Sequence, residues 1–310
     1  MTEIIKDRSG SSLDSDPVKL GLVIVIVILL AGGVVFGKNQ TKSAETKINL
    51  PAKTADQNSN LEEAVIPSAG VTLPVTWGDL GAKLVEAGVI DATKLQALYQ
   101  QRGGWPKEYR ELLLDQKNGQ IKITRDNAGY WLNLLWALGL ANQNSILDQG
   151  EMTDPQYGGA GGFASTGGWS MAKGEPMDHY SRHQLIKLTV EQQALVDKIS
   201  RGIFRPCCGN STHFPDCNHG MAMLGLLELM ASQGVSETEM WQTALTVNSY
   251  WFPDTYLTLA SYFKDQGRDW STIDPKIALG EAYSSSAGAT KISALVSKSQ
   301  GGGGGSSCGV

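Results

Sequence analysis

Cysteine and histidine are the residue types that most often bind transition metals or carry out thiol chemistry, and here they are concentrated in one part of the sequence. The chain has four cysteines and four histidines. The segment RPCCGNSTHFPDCNHG, residues 205–220, contains three of the cysteines and two of the histidines. Every histidine and all but one cysteine fall between His179 and His219. This clustering predicts either a chemical site or a covalent crosslink.

Four side chains of the segment form a donor set that suits a thiophilic transition metal: Cys207, Cys208, Cys217 and His219. Three thiolates and one imidazole suit zinc in a structural site. They also suit Cu(I) if the thioethers of Met221 and Met223 join them, although both methionines equally fit a core. The spacing matches neither the C-x-x-C of zinc ribbons nor the C-x-x-C-H of haem attachment. The residue types therefore predict a zinc or copper site without a standard motif.

Two further histidines, His179 and His183, extend the candidate ligand set. They are four residues apart, so on a helix both imidazoles would project from one face, as paired metal ligands do. The alternative is a surface helix with two solvent-facing histidines. Asp216 could orient His219 as a carboxylate partner or cap the helix that begins near Gly220. Nothing in the spacing supports a similar role for His213.

Two other interpretations of the cysteines remain open. The first is thiol–disulfide chemistry, in which Cys217 lies at a predicted helix N-terminus that lowers its pKa, and Cys308 reaches it on the glycine tail. The second is a disulfide-stapled binding module, in which Cys207 or Cys208 pairs with Cys217. Such a bond would close a loop of about ten residues and contribute about 2–4 kcal/mol. The sequence does not decide whether the protein is an enzyme.

Several other classes of function lack support. The net charge is −5 and the pI is about 5.4, with lysines and arginines scattered singly, whereas a nucleic-acid partner requires a clustered basic face. The glycine-rich segment 150–174 opens no helix and precedes no Lys-Ser/Thr pair, so an irregular loop is expected instead of a phosphate site. The serine-hydrolase motif G-x-S-x-G is absent. Glu228 is the one acid of interest, and a solvated helix face is its expected position.

The uncharged stretch from Leu20 to Phe36 predicts a membrane anchor. As a helix it spans about 25 Å, which is just enough to cross a bilayer. Acidic residues precede it and no small-x-small cleavage site follows, so we expect an uncleaved anchor instead of a signal peptide. Basic residues balance on its two sides. The single early span favours a cytoplasmic N-terminus, with the C-terminal domain outside the cytoplasmic membrane.

Composition divides the chain into five parts: a tail (1–19), the anchor (20–36), a flexible linker (37–73), a globular domain (74–283) and a Gly/Ser-rich flexible tail (284–310). The globular domain should be all-α, with about seven or eight helices and little strand, because helical periodicity dominates wherever a pattern is visible.

Helix starts are predicted from capping residues. Thr189 with Gln192 and Ser236 with Glu239 form capping boxes, and Asp91 caps a further helix. Thr76 with Asp79 resembles another capping box. The helix NAGYWLNLLWALG is apolar nearly all round, which predicts a central buried position. We expect this helix to end at Gly139.

Overall fold

The computed structural model describes residues 52–301, with side chains from Ser59 to Lys298. The predicted span Leu20–Phe36 and Cys308 lie outside these described residues. Within the described part of the chain, no helix is both long enough and apolar enough to cross a membrane.

The described residues are mostly helical, as predicted, with one two-stranded sheet. The α-helices are α1 (Ala52–Val65), α2 (Leu80–Glu86), α3 (Ala92–Gln101), α4 (Lys107–Leu114), α5 (Ala128–Ala141), α6 (Ser145–Gln149), α7 (Val190–Ser200), α8 (Asn218–Ser232), α9 (Glu237–Trp251), α10 (Pro253–Asp265), α11 (Pro275–Ala278), α12 (Glu281–Ser284) and α13 (Ser286–Gly301). The strands are β1 (Val71–Gly78) and β2 (Asn118–Ile123). The number of helices exceeds the expected seven or eight because several are short and two lie in segments predicted to be flexible.

Those two segments contain α1 and α13. Helix α1 and the start of β1 lie within the predicted 37–73 linker, and α13 lies within the predicted 284–310 tail. Both helices pack against α10. The reason is that each segment carries a few apolar side chains that are buried: Val65, Ile66, Ile292 and Val296. Because these residues are sparse among polar ones, composition alone hides the buried face.

The predicted capping box at Thr76 and Asp79 does not form. Thr76 lies in β1, which pairs antiparallel with β2, and α2 begins after Asp79 without a side-chain cap. The alternation VTLPVTWG is typical of a half-buried strand, and it buries Leu73, Val75 and Trp77. The period-two pattern therefore overrides the resemblance to a helix cap.

Helices α5 and α8 cross at the centre of the core. Helix α5 runs past Gly139 to Ala141, so the expectation that Gly139 ends it is wrong. A Cβ on Gly139 would lie 2.1 Å from the backbone oxygen of Met221, and one on Gly225 would lie 2.5 Å from that of Leu135. These glycines allow the two helix backbones to touch. The first half of α8 is thereby fixed against α5.

Candidate metal centre

The sulfur atoms of Cys207, Cys208 and Cys217 converge on one point. The Sγ of Cys217 lies 3.3 Å from that of Cys207 and 3.7 Å from that of Cys208, and all three lie within 4.8 Å of one another. A disulfide requires about 2.05 Å between sulfurs, and the three thiols are free. Tetrahedral coordination with metal–sulfur bonds of about 2.3 Å places the sulfurs about 3.8 Å apart. The observed spacing is close to that of such a site, so the triad could hold a metal ion.

Local folding explains how the sulfurs meet. Cys217 is the N-cap of α8, in an extended conformation, and its Sγ accepts a hydrogen bond from the backbone N–H of Gly220 at 3.4 Å. A β-bridge between Phe204 and Ser211 closes the loop that turns Cys207 and Cys208 back towards this helix end. The backbone oxygen of Cys208 accepts from the N–H of Ser286 at the start of α13. The triad thus joins a loop to the ends of two helices.

Arg205 supports the triad from the protein interior, a role that the sequence analysis missed. Its side chain is fully buried, and its Nε donates to the Sγ of Cys217 at 3.1 Å. Its Nη2 donates to the Asp216 carboxylate at 2.7 Å. A Cβ on Gly220 would lie 2.4 Å from this Nη2, so only glycine leaves room for the guanidinium. Two features of the sequence could have indicated this role: an arginine two residues before the cysteine pair, and a glycine in the first turn of α8.

Asp216 does not take either role expected of it. Cys217 caps α8, and the Asp216 carboxylate binds Arg205 and accepts from the Asn210 side chain at 2.8 Å. The carboxylate therefore fixes the guanidinium instead of orienting His219. A buried arginine needs such a partner because an unpaired buried charge is costly.

Hydrogen bonds within the triad separate the pKa values of its thiols, and Cys217 has the lowest. Hydrogen bonds from the thiols of Cys207 and Cys208, followed by the His219 imidazole and the Arg205 charge, hold the pKa of Cys217 far below its usual range. Hydrogen bonds to Cys208 and Cys217 raise the pKa of Cys207. Cys217 is thus the most acidic thiol of the triad, and Cys207 is a weaker acid than an ordinary thiol. A bound cation would displace the thiol protons because metals bind the thiolate form.

His219 flanks the triad in the first turn of α8. Its ring centroid lies 4.4 Å from that of Phe252 and 5.8 Å from that of Trp251, so aromatic rings fix its plane. Its Nδ1 is buried and has no hydrogen-bond partner among the described residues. The close ligand grouping itself contains the cysteines alone. His219 is therefore an adjacent candidate ligand and not part of the tight cluster.

His179 and His183 are brought together, but they bind each other instead of joining the cysteines. They lie in a turn, not on a helix, with 2.9 Å between His179 Nδ1 and His183 Nε2. The His179 Nε2 donates to the backbone oxygen of Lys173 at 3.0 Å, which leaves Nδ1 to accept from His183. Burial, and then the neighbouring His179, lower the pKa of His183. The two histidines predicted as paired metal ligands therefore contact each other and not the cysteine triad.

The buried imidazole of His213 links the glycine-rich loop to α7. Its Nδ1 lies 2.6 Å from the Glu151 carboxylate and its Nε2 lies 2.8 Å from that of Asp197. Arg201 is 2.7 Å from the same Nε2. Glu151 belongs to the glycine-rich loop and Asp197 to α7, so His213 ties this loop to the helix. Both ring nitrogens are occupied, which makes His213 a poor metal ligand.

The glycine-rich segment 150–174 contains three single-turn 3-10 helices but no α-helix or strand, and it packs beside the cysteine segment. The backbone N–H of Ser165 donates to the backbone oxygen of Asp216 at 3.2 Å. An aromatic cluster with centroids 5.2–5.4 Å apart joins the loop to the segment: Tyr157, Phe163 and Phe214. The loop therefore supports the residue next to Cys217.

Other residues of α8 belong to the core. Met221 and Met223 are buried, which matches the core alternative for their side chains. Glu228 is completely buried, so the expectation of a solvated helix face is wrong. Its Oε1 accepts a hydrogen bond from the Asn144 side chain, and burial raises its pKa to about 8. The apolar residues around it on α8 leave no solvated face for the carboxyl group.

The triad, the buried arginine and the adjacent imidazole define the candidate centre: Cys207, Cys208, Cys217, Arg205 and His219. Its three sulfurs lie within 4.8 Å of one another, and the buried Arg205 beside them pairs with Asp216. Comparisons with models of known families, with curated proteins and with solved structures find no match to this chain.

Proposed function

We propose that the protein is a membrane-anchored, extracytoplasmic protein that binds one zinc or copper ion at Cys207, Cys208 and Cys217. The observation that carries the proposal is the convergence of three sulfurs, with those of Cys207 and Cys208 at 3.3 and 3.7 Å from that of Cys217. Two cysteines suffice for a disulfide, whereas a metal ion uses all three. The ion would tie the cysteine loop to α8, in a structural or metal-handling role.

The fourth ligand distinguishes the two metals. Zinc in a structural site takes four ligands, and the buried Nδ1 of His219 is the adjacent candidate. Cu(I) prefers soft thiolates. Three thiolates around a divalent ion carry a net charge of −1, which the buried guanidinium of Arg205 opposes through its hydrogen bond to Cys217. Such an outer partner tunes ligand basicity and orientation.

Thiol–disulfide exchange is the second candidate. The Sγ atoms of Cys207 and Cys217 lie 3.3 Å apart, and Cys207 is exposed. The low pKa of Cys217 makes it the attacking thiolate, and Cys207 or Cys208 would resolve a mixed disulfide. The same pair could instead form a permanent staple in a binding module.

Metal analysis with thiol mapping separates these functions. The full chain with Cys308→Ser, purified in detergent because of the predicted anchor, should hold close to one metal ion by elemental analysis. Its three remaining thiols should resist alkylation until a chelator is added. Chelation should lower the Tm by roughly 10 °C, since a ligand at about 1,000 times its Kd contributes about 4 kcal/mol and each kcal/mol shifts Tm by about 2–4 °C.

Matched histidine variants test the ligand set. His219→Ala should weaken zinc binding at least about tenfold, as loss of a ligand does, whereas His183→Gln should leave it unchanged. Suppose instead that the purified protein holds no metal and that two of its three thiols can be alkylated only after a reductant is added. This result would show a disulfide in place of the metal site. Metal-free protein that turns over a small disulfide, and loses this activity in Cys217→Ser, would establish the redox function.

A further inference from the structure

A surface cleft far along the chain from the cysteine segment has features of a ligand site. Its volume is about 850 Å³, and it lies where α3, the loop 102–106 and the starts of α4 and α5 meet. Clefts of this size accommodate small molecules of several rings. The side chains that shape it are aromatic: Tyr99, Trp105, Tyr109 and Tyr130.

The four rings form a solid platform instead of an open cage. Tyr109 stacks on the buried Tyr130 with centroids 4.0 Å apart and an interplanar angle of 3°. Tyr99 and Trp105 meet Tyr130 edge to face at 5.0 and 5.9 Å. Rings in direct contact leave no space for a cation between them. Trp105 and Tyr109 are only half-buried, so a ligand in the cleft meets their outer surfaces.

Glycines leave the rest of the cleft surface bare. Gly103 and Gly104 have φ of 118° and 151°, a region that favours glycine, and they turn the chain so that Trp105 packs back on Tyr99. Gly129 lies in the first turn of α5. A Cβ on any of the three would meet nothing within 4 Å. The backbone at these glycines is therefore open to a ligand, while the Gly104 N–H and the Gly129 carbonyl also bind Tyr99.

The charges at the cleft balance. Arg102, which lies over the Tyr99 ring at 5.9 Å, and Asp126 are its two ionisable residues besides the tyrosines. The lining thus carries one charge of each sign, and its side chains offer both donors and acceptors to hydroxyl groups. A pyranose ring presents C–H bonds on its faces, which suit the negative face of an aromatic ring, and hydroxyls at its rim.

We propose that this cleft binds a neutral oligosaccharide, with sugar rings stacked on Trp105 and Tyr109 and hydroxyl groups bound by Arg102 and Asp126. The site shares no residue with the cysteine triad, so it is independent of the proposed metal function. A saccharide site on a domain expected outside the membrane would recognise glycans.

The test is saturation-transfer NMR and calorimetry on the full chain with three probes: maltotriose, cellotriose and tri-N-acetylchitotriose. A polyoxyethylene detergent is required, because detergents with sugar head groups would compete. At least one trisaccharide should bind. Trp105→Ala should weaken that binding about tenfold, as loss of a central aromatic anchor does. Gly129→Leu should abolish it by filling the cleft, with the Tm unchanged or raised because leucine favours a helix more than glycine does.

Tyr157→Ala is the matched control, since Tyr157 is a partly exposed aromatic residue on another surface. It should leave saccharide binding unchanged. Binding of none of the three trisaccharides would overturn the proposal. Binding that survives both Trp105→Ala and Gly129→Leu would also overturn it.

Discussion

At the scale of single residues, two buried ionisable side chains lie on or against α8. Arg205 is buried against the first turn of this helix and pairs with Asp216, and it contacts the Cys217 thiolate. Glu228 lies farther along the same helix without a charged partner: its Oε1 accepts from the Asn144 amide, and its Oε2 has no hydrogen-bond partner among the described residues. The first group is held charged by its partners, whereas the second is driven to its neutral form by burial.

Glu228 should make the stability of the protein pH-dependent. Burial raises its folded pKa to about 8 from the ordinary 4.5. Between these values the unfolded chain loses the proton that the folded protein keeps, so the free energy of unfolding should fall as pH rises. The slope from this group is about 1.4 kcal/mol per pH unit, and it ends above the folded pKa.

Denaturant unfolding at pH 5, 6, 7 and 8 measures this slope. Glu228→Gln, which stays neutral, should remove most of this fall. Its free energy of unfolding relative to the parent should therefore increase from pH 5 to pH 8. Glu86→Gln, at an exposed site, is the control and should keep the parent slope. Equal slopes for all three proteins would show that Glu228 is ionised in the folded state.

At the scale of elements, the crossing of α5 and α8 positions the candidate centre. Gly139 and Gly225 face each other there, with 2.7 Å from a Cβ on Gly225 to the backbone nitrogen of Gly139. Both helices carry large apolar side chains on their other faces, so the crossing buries them from all sides. Because Cys217 caps α8, a shift of this helix would move its sulfur relative to Cys207 and Cys208.

Two glycine-to-alanine variants should have opposite effects on stability. Gly225→Ala forces the α5 and α8 backbones apart, which should cost about 1–3 kcal/mol. Gly129→Ala, in the first turn of α5 with open space around its Cβ, should stabilise by about 0.5–1 kcal/mol through helix propensity. Chemical denaturation measures both. A stabilising Gly225→Ala would show that the helices are not in backbone contact at this position.

At the scale of the whole molecule, the predicted anchor determines where the candidate centre works. The span Leu20–Phe36 lies outside the described residues, so its orientation remains a prediction. A cytoplasmic centre would face reducing conditions that keep thiols free, whereas an exported one would face oxidation unless an ion protects the sulfurs.

A reporter fused after Val310 tests the orientation. An enzyme that folds only outside the cytoplasm should be active, and one that requires the cytoplasm should be inactive. Replacing Lys19 and Arg8 with glutamate should reduce the export signal, because basic residues before a span favour its cytoplasmic side. Activity of only the cytoplasmic reporter would contradict the predicted topology, and it would also weaken the disulfide alternative.

Local signals in the sequence determined the helical class and several helix starts. The capping boxes at Thr189 and Ser236 and the cap at Asp91 are confirmed, since each depends on residues within one turn. The Thr76 cap failed because strand pairing with β2, more than forty positions away in the register, outweighed it. Helices α1 and α13 were not predicted because their few apolar side chains are buried only by packing against α10.

The sequence by itself determined that cysteines and histidines cluster in one segment and that thiol or metal chemistry is the natural use of them. Only the tertiary structure decided which of them meet. In the structure, Cys207 and Cys208 lie beside Cys217, and His179 pairs with His183. His213 instead binds Glu151 of the glycine-rich loop. The reason is physical: periodicity and capping act over a few residues, whereas burial of Arg205 and Glu228 and convergence of the sulfurs depend on helices that pack across the whole domain.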